Sequence, residues 1–198
     1  MPETAVVTAS VQERRFEWPL TVESLVLDVG GYRGDFAAEM VKRYGCRVVV
    51  FEPVAEFRKV MGPALAALMN TGLVDIKPFG LAKADGETVF ALDGDATGLY
   101  STGREYAGVR LRDVVGWLAE RGEPDVALLK LNVEGMEYEI LERLLDAGRM
   151  SCFAAVLVQF HRVGHGFAAR RERIRARLAE THREAWCEPR CWEAWERI

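Results

Sequence analysis

Short apolar runs alternate along this chain with segments whose apolar residues recur every three or four positions. Residues 24–29 (SLVLDV) read as a buried strand that runs into glycines. Phe36, Met40 and Tyr44, with Ala37 and Val41 beside them, then share one helical face, and Gly45 stops that helix. Residues 47–51 (RVVVF) form a second strand, Pro53 stands at a helix start, and residues 55–69 are helical in composition. Residues 73–76 make a third strand. From 78 to 109 the periodicity weakens, with turn signals at Asp85-Gly86, Asp93-Gly94 and Thr102-Gly103, so hairpins or an irregular insertion are expected there.

A helix is predicted over 111–121, ended by Gly122 and Pro124. A fourth strand follows over 126–133 (VALLKLNV), then a helix carrying Met136, Ile140 and Leu144, then a fully buried fifth strand over 153–160 (FAAVLVQF). The tail differs: residues 167–181 form an Arg-rich helix with a thin apolar stripe. Residues 185–187 and 191–198 flank Glu188-Pro189-Arg190 as a closing antiparallel hairpin. Repeated strand and helix units imply an α/β, doubly wound parallel sheet with helices on both faces. At 198 residues a single domain is expected, with an extension over 1–23, a cofactor-binding core over 24–160 and the helix and hairpin over 161–198. Ligands of such sheets bind beyond the carboxyl ends of the strands, where strand order reverses.

Composition narrows the classes. A hydrophobic share of 49% with 28% charged residues is that of a globular chain rather than a disordered one. A net charge of -4 argues against a dedicated nucleic-acid binder, which needs a basic face. No apolar run approaches the ~18 residues that span a bilayer, and the start of the chain lacks the basic and apolar regions of a secretory signal, so a cytoplasmic location without membrane association is expected. Cys46, Cys152, Cys187 and Cys191 show no C-x-x-C spacing. Cys187 and Cys191 amount to half a zinc site that nothing nearby completes, which leaves reduced thiols and no metal as the expectation.

The turn after the first strand, Asp28-Val29-Gly30-Gly31-Tyr32-Arg33-Gly34, opens the first helix. Its glycines let backbone approach a ligand without a Cβ in the way. A dinucleotide fingerprint would need glycine at 29, where Val29 stands, and the Asp28 carboxylate would repel a pyrophosphate. Glu52, at the end of the second strand, is placed to accept hydrogen bonds from vicinal ribose hydroxyls. Asp28, Gly30, Gly31, Gly34, Glu52 and Pro53 thus form the candidate cofactor-binding set. The ligand they suit is a nucleoside with a cationic tail and no diphosphate, a description that S-adenosylmethionine fits.

Three blocks carry a resemblance: LDVGGYRGDF (27–36), VVVFEPV (48–54) and LLKLNVEGMEYEILERL (128–144). Together they resemble the FkbM family of S-adenosylmethionine-dependent methyltransferases, the third block being similar to its K-x-D-V-E-G-x-E signature. The resemblance covers residues 24–160. It implies a seven-stranded, Rossmann-like methyltransferase sheet whose last hairpin is antiparallel, and O-methylation of a hydroxyl on a sugar or natural-product scaffold. It also implies that Asp28, Gly30 and Gly34 line the methionine end of the cofactor and that Glu52 holds its ribose. Asn132 departs from the family, which has Asp there, and an amide can be neither a base nor a hard-metal carboxylate ligand.

A hydroxyl acceptor must lose its proton near the transition state. His161, just past the fifth strand, is the first candidate base because imidazole ordinarily titrates near 6.5, and His165 is the second. Lys130 and Asn132 alternate on one face of the fourth strand, with Glu134 one step beyond, and all three join the catalytic candidates. An unpaired buried lysine is costly, so Glu134 or another carboxylate is expected to neutralise Lys130. Glu137 reads as a first-turn helix charge, and the arginines of 170–178 as a solvated face. Trp186, Trp192 and Trp195 are expected to pack on the sheet or against a second copy in a homo-oligomer. The competing functions are a methyltransferase-fold binding or scaffold protein without turnover and, below it, an RNA methyltransferase.

Overall fold

The computed structural model describes residues 11–122, 124–188 and 192–198. The chain begins with α1 (Val11–Arg14), β1 (Leu25–Val29), α2 (Asp35–Tyr44), β2 (Arg47–Phe51), α3 (Ala55–Asn70) and β3 (Val74–Lys77). It continues through β4 (Gly80–Ala82), β5 (Gly86–Leu92), β6 (Glu105–Asp113), α4 (Val114–Ala119) and β7 (Leu128–Leu131). It closes with α5 (Glu137–Asp146), β8 (Ala155–Gln159), α6 (Phe167–Leu178), β9 (His182–Cys187) and β10 (Trp192–Arg197).

Seven strands form one sheet in the order β3-β2-β1-β7-β8-β10-β9. The five from β3 to β8 pair in parallel, and β10 runs antiparallel to both β8 and β9. This is the doubly wound sheet with a closing hairpin that the strand pattern and the family resemblance imply. The tip of that hairpin, with Pro189, Arg190 and Cys191, lies outside the described residues. Alternation along each central strand sends side chains to two buried clusters. On one face Val26, Val48, Val50 and Leu128 meet α2 and α3 through Met40, Met61 and Leu65. On the other Leu27, Leu129, Leu131 and Val156 meet α4, α5 and α6 through Trp117, Leu141 and Leu178. Trp192 and Trp195 are buried in opposite clusters, so two of the three tail tryptophans pack on the sheet itself.

The segment before β1 seals the α2 face. Trp18 is buried there, its backbone N–H donates to the Tyr44 hydroxyl at 3.0 Å, and that hydroxyl donates to the Phe16 carbonyl at 2.6 Å. The arginines of α6 are less solvated than their sequence suggests. Arg170 forks onto Glu142, Arg177 reaches Asp146, and Arg171 and Arg175 both close on the fully buried Glu193. A helix with only Ile174 and Leu178 buried is held by ion pairs instead.

The weakly patterned stretch is a second sheet of order β4-β6-β5, in which β5 and β6 form an antiparallel hairpin. Its last strand corrects the expected helix over 111–121. Leu111 to Asp113 still belong to β6, continuing the period-two alternation of Val109-Arg110-Leu111-Arg112, and the helix begins at Val114. Asp113 caps it by accepting from Val115 N–H and Gly116 N–H, each at 3.3 Å, and also takes both arms of Arg143 on α5. None of the helices described is long and apolar enough to cross a membrane.

Candidate active site

Strand order reverses between β1 and β7, and the carboxyl ends of β1, β2 and β7 surround one cleft. It encloses about 650 Å³, part of it open to solvent, and its walls include Gly30, Tyr32, Glu52, Pro53, Asn132 and Glu134. Apolar side chains from α3 and the second sheet (Phe57, Leu81, Phe90 and Leu111) complete it. Sequence reasoning did not foresee this contribution, because strands β4 to β6 were not resolved from the pattern.

Glu52 is the buried carboxylate of the cleft. Its Oε2 accepts from Tyr32 N–H and its Oε1 from Val54 N–H, both at 2.8 Å. Burial pushes its pKa up to about 7, against the pull of those two N–H groups. Gly30, at φ +86°, leads the chain out of β1, and a Cβ there would sit 1.9 Å from the Asn132 carbonyl oxygen. Only glycine admits that approach between the two strand ends. Asn132 lines the cleft beside it, and its Oδ1 is buried without a hydrogen-bond partner among the described residues.

The other first-turn residues are placed differently from the sequence expectation. Asp28 is fully buried beneath the cleft and is not on its walls. Its Oδ1 accepts from Lys130 Nζ at 2.8 Å, and the same ammonium donates to the Gly30 carbonyl at 2.7 Å. The strands β1 and β7 pair so that Asp28 stands directly across from Lys130. Burial raises the Asp28 pKa, while the charge and hydrogen bond of Lys130 oppose the rise. The carboxylate expected to face a cationic ligand is therefore spent on the chain's own lysine, and Lys130 takes Asp28 rather than Glu134 as its partner. Gly31 and Gly34 turn into the core as well, where a Cβ would strike Val50 at 2.2 Å and Leu65 at 2.7 Å, respectively.

His161 sits between two carboxylates. Its Nε2 lies 3.0 Å from Glu134 Oε1 and its Nδ1 lies 3.3 Å from Glu137 Oε1. Burial disfavours the charged ring, but the hydrogen bonds and charges of both glutamates outweigh it and push the pKa up to about 9. An imidazolium with both nitrogens engaged cannot take a proton near neutrality, which corrects the expectation of His161 as the base. Glu137, read from sequence as a helix-end charge, is fully buried and also accepts from His161 N–H at 2.7 Å and Gly135 N–H at 2.8 Å. Its spacing of three residues from Glu134 was the available signal. Among the described residues the exposed His165 does not join this group.

With this geometry in hand, comparison with known proteins places the chain. No curated protein matches it in sequence. Solved structures do. An FkbM methyltransferase from Methylobacillus flagellatus KT superposes with a TM-score of 0.61 at 11% identity, over 89% of this chain and 44% of that one. This chain therefore spans less than half the length of that relative. A putative rRNA methylase from Clostridium thermocellum gives 0.56 at 13% identity over 94% of both chains. The M. capricolum TrmK in complex with S-adenosyl-homocysteine gives 0.52 at 8% identity, over 96% of this chain and 69% of that one. At these identities the neighbours establish the fold. The sequence itself matches the Methyltransferase FkbM domain over residues 28–183, and the chain belongs to that family.

Proposed function

We propose that this protein is an S-adenosylmethionine-dependent methyltransferase acting on a hydroxyl of a sugar or natural-product small molecule. The observation that carries the reading is Glu52, a desolvated carboxylate on the cleft wall whose partners are backbone N–H groups. The residues present suit the cofactor. Glu52 keeps lone pairs for two ribose hydroxyls, the Gly30 backbone has no side chain between it and a ligand, and the orphaned Asn132 Oδ1 offers a buried acceptor. When bound, the cofactor supplies a methyl group already activated by a sulfonium, so the chain has mainly to align the acceptor and exclude water. Tyr32, packed edge-on against Phe57 at 4.7 Å, and the apolar walls of the second sheet provide that exclusion.

Calorimetric titration with S-adenosylhomocysteine tests the reading. Micromolar binding by the wild type is expected, and Glu52→Ala should weaken it about 100-fold, the loss of two hydrogen bonds to a charged group. The same titration should depend on pH. Hydroxyl donors need the ionised form of Glu52, so affinity should fall by up to about tenfold per unit as pH drops below 7. A flat profile through that range would mean that Glu52 does not hold the ligand. Binding without turnover of any hydroxylated acceptor would instead mark a methyltransferase-fold binding protein.

A further inference from the structure

Glu134 adopts φ +51°, a strained left-handed conformation that a non-glycine residue rarely takes. Its surroundings hold it there. Gly135 follows at φ +105° with its N–H on the buried Glu137, and His161 fixes Glu134 Oε1. The loop between β5 and β6 lies against the same place: a Cβ on Gly98 would come within 2.8 Å of the Glu134 Cβ, and the Tyr100 ring covers Gly135. Among the described residues Glu134 Oε2 has no hydrogen-bond partner, and the side chain is 21% exposed on the cleft wall.

Charge on that wall is one-sided. Among the described residues Glu52 and Glu134 are its charged ones, and no lysine, arginine or histidine joins them. Lys130 is held by Asp28 and the Gly30 carbonyl, Arg58 by the Glu52 carbonyl, and Arg170 by Glu142. The His161 ring lies between two glutamates and turns no free N–H to the cleft. A phosphate brought to Glu134 would meet the net negative charge that two glutamates leave around one shared imidazolium, whereas a hydroxyl or ammonium would find an acceptor in the second oxygen of Glu134. Exposed Leu99 and Tyr100 offer an apolar lip for the body of such a molecule.

We propose that Glu134 receives the methyl acceptor, which meets it with a hydroxyl or an amine on an uncharged or cationic small molecule and carries no phosphate there. The proposal rests on the cofactor reading above and adds the acceptor's charge class and its anchoring residue. Glu137 and His161 act as positioning residues that hold Glu134 in its strained conformation.

The test uses the protein loaded with S-adenosylhomocysteine and three probes of one shape, glucose, glucosamine and glucose 6-phosphate. Calorimetry reads affinity, and the proton and nitrogen resonances of the His161 ring read contact at Glu134. Glucosamine should move the His161 signals and bind at least about tenfold more tightly than glucose 6-phosphate. Glu134→Gln should level the two while S-adenosylhomocysteine still binds, which also shows that the variant is folded. Equal or tighter binding of the 6-phosphate by the wild type overturns the proposal, as does a His161 ring that responds to none of the probes. Failure of the wild type to bind S-adenosylhomocysteine removes the cofactor reading itself, and this proposal with it.

Discussion

Replacing Lys130 by methionine should lower the unfolding free energy by about 3–5 kcal/mol, the cost of leaving one member of a buried ion pair without its partner. Among the described residues Asp28 has nowhere else to turn: it is fully buried, its Oδ2 already lacks a hydrogen bond, and Lys130 Nζ at 2.8 Å is its cation. The variant should recover stability on acidification. Asp28 already titrates above its ordinary value in the folded protein, and loss of the lysine raises it further. A carboxyl group raised on folding contributes stability that is fully present below its unfolded pKa and is lost as pH rises through the folded one. Adding Asp28→Asn removes the stranded charge, and the double variant should return most of the loss. Urea denaturation of the wild type, Lys130→Met, Asp28→Asn and the double variant reads the cycle. A Lys130→Met variant as stable as the wild type would show that the pair does not neutralise itself in this way.

The His161 clamp should make the protein lose stability above neutrality. The ring is raised from 6.5 to about 9 on folding, so its contribution is whole below 6.5 and disappears as pH rises through about 9. The difference corresponds to an upper bound of about 3 kcal/mol. Ring resonances should show one titration near 9, and denaturation midpoints should fall across the same interval. His161→Gln should flatten that fall while lowering stability near neutral pH, because Glu137 has no exposure to water. A ring that titrates near its ordinary value would mean that the two glutamates do not share it.

Most of the sheet was legible because its central strands are buried on both faces and read as unbroken apolar runs, as in residues 47–51 and 153–160. The boundary between β6 and α4 was not. Leu111 suits a helix as well as a strand, and only the capping position of Asp113 separates the two readings. Glu52 could be placed from its position at a strand end. The roles of Asp28 and His161 could not, since each depends on partners brought together by long-range pairing: Lys130 across the β1–β7 register, and Glu134 and Glu137 across the β7–β8 crossover. A charge read without its partner looks free to serve a ligand, and here both charges serve the chain.

The β5–β6 hairpin bears on how such a fold could change its ligand over time. Asp113, by capping α4 and gripping Arg143, anchors the base of the hairpin to the central layers, while the loop that crosses Glu134 sits at its far end. Doubling the length of a flexible loop costs only about 0.6 kcal/mol in closure entropy. The stretch between Leu92 and Glu105 can therefore be lengthened at small entropic cost, while Gly30, Glu52 and Asn132 stay where the ends of the central strands put them. Descendants of one ancestor could diversify in what the cleft admits by rewriting about a dozen positions there, leaving the rest of the scaffold a constant platform.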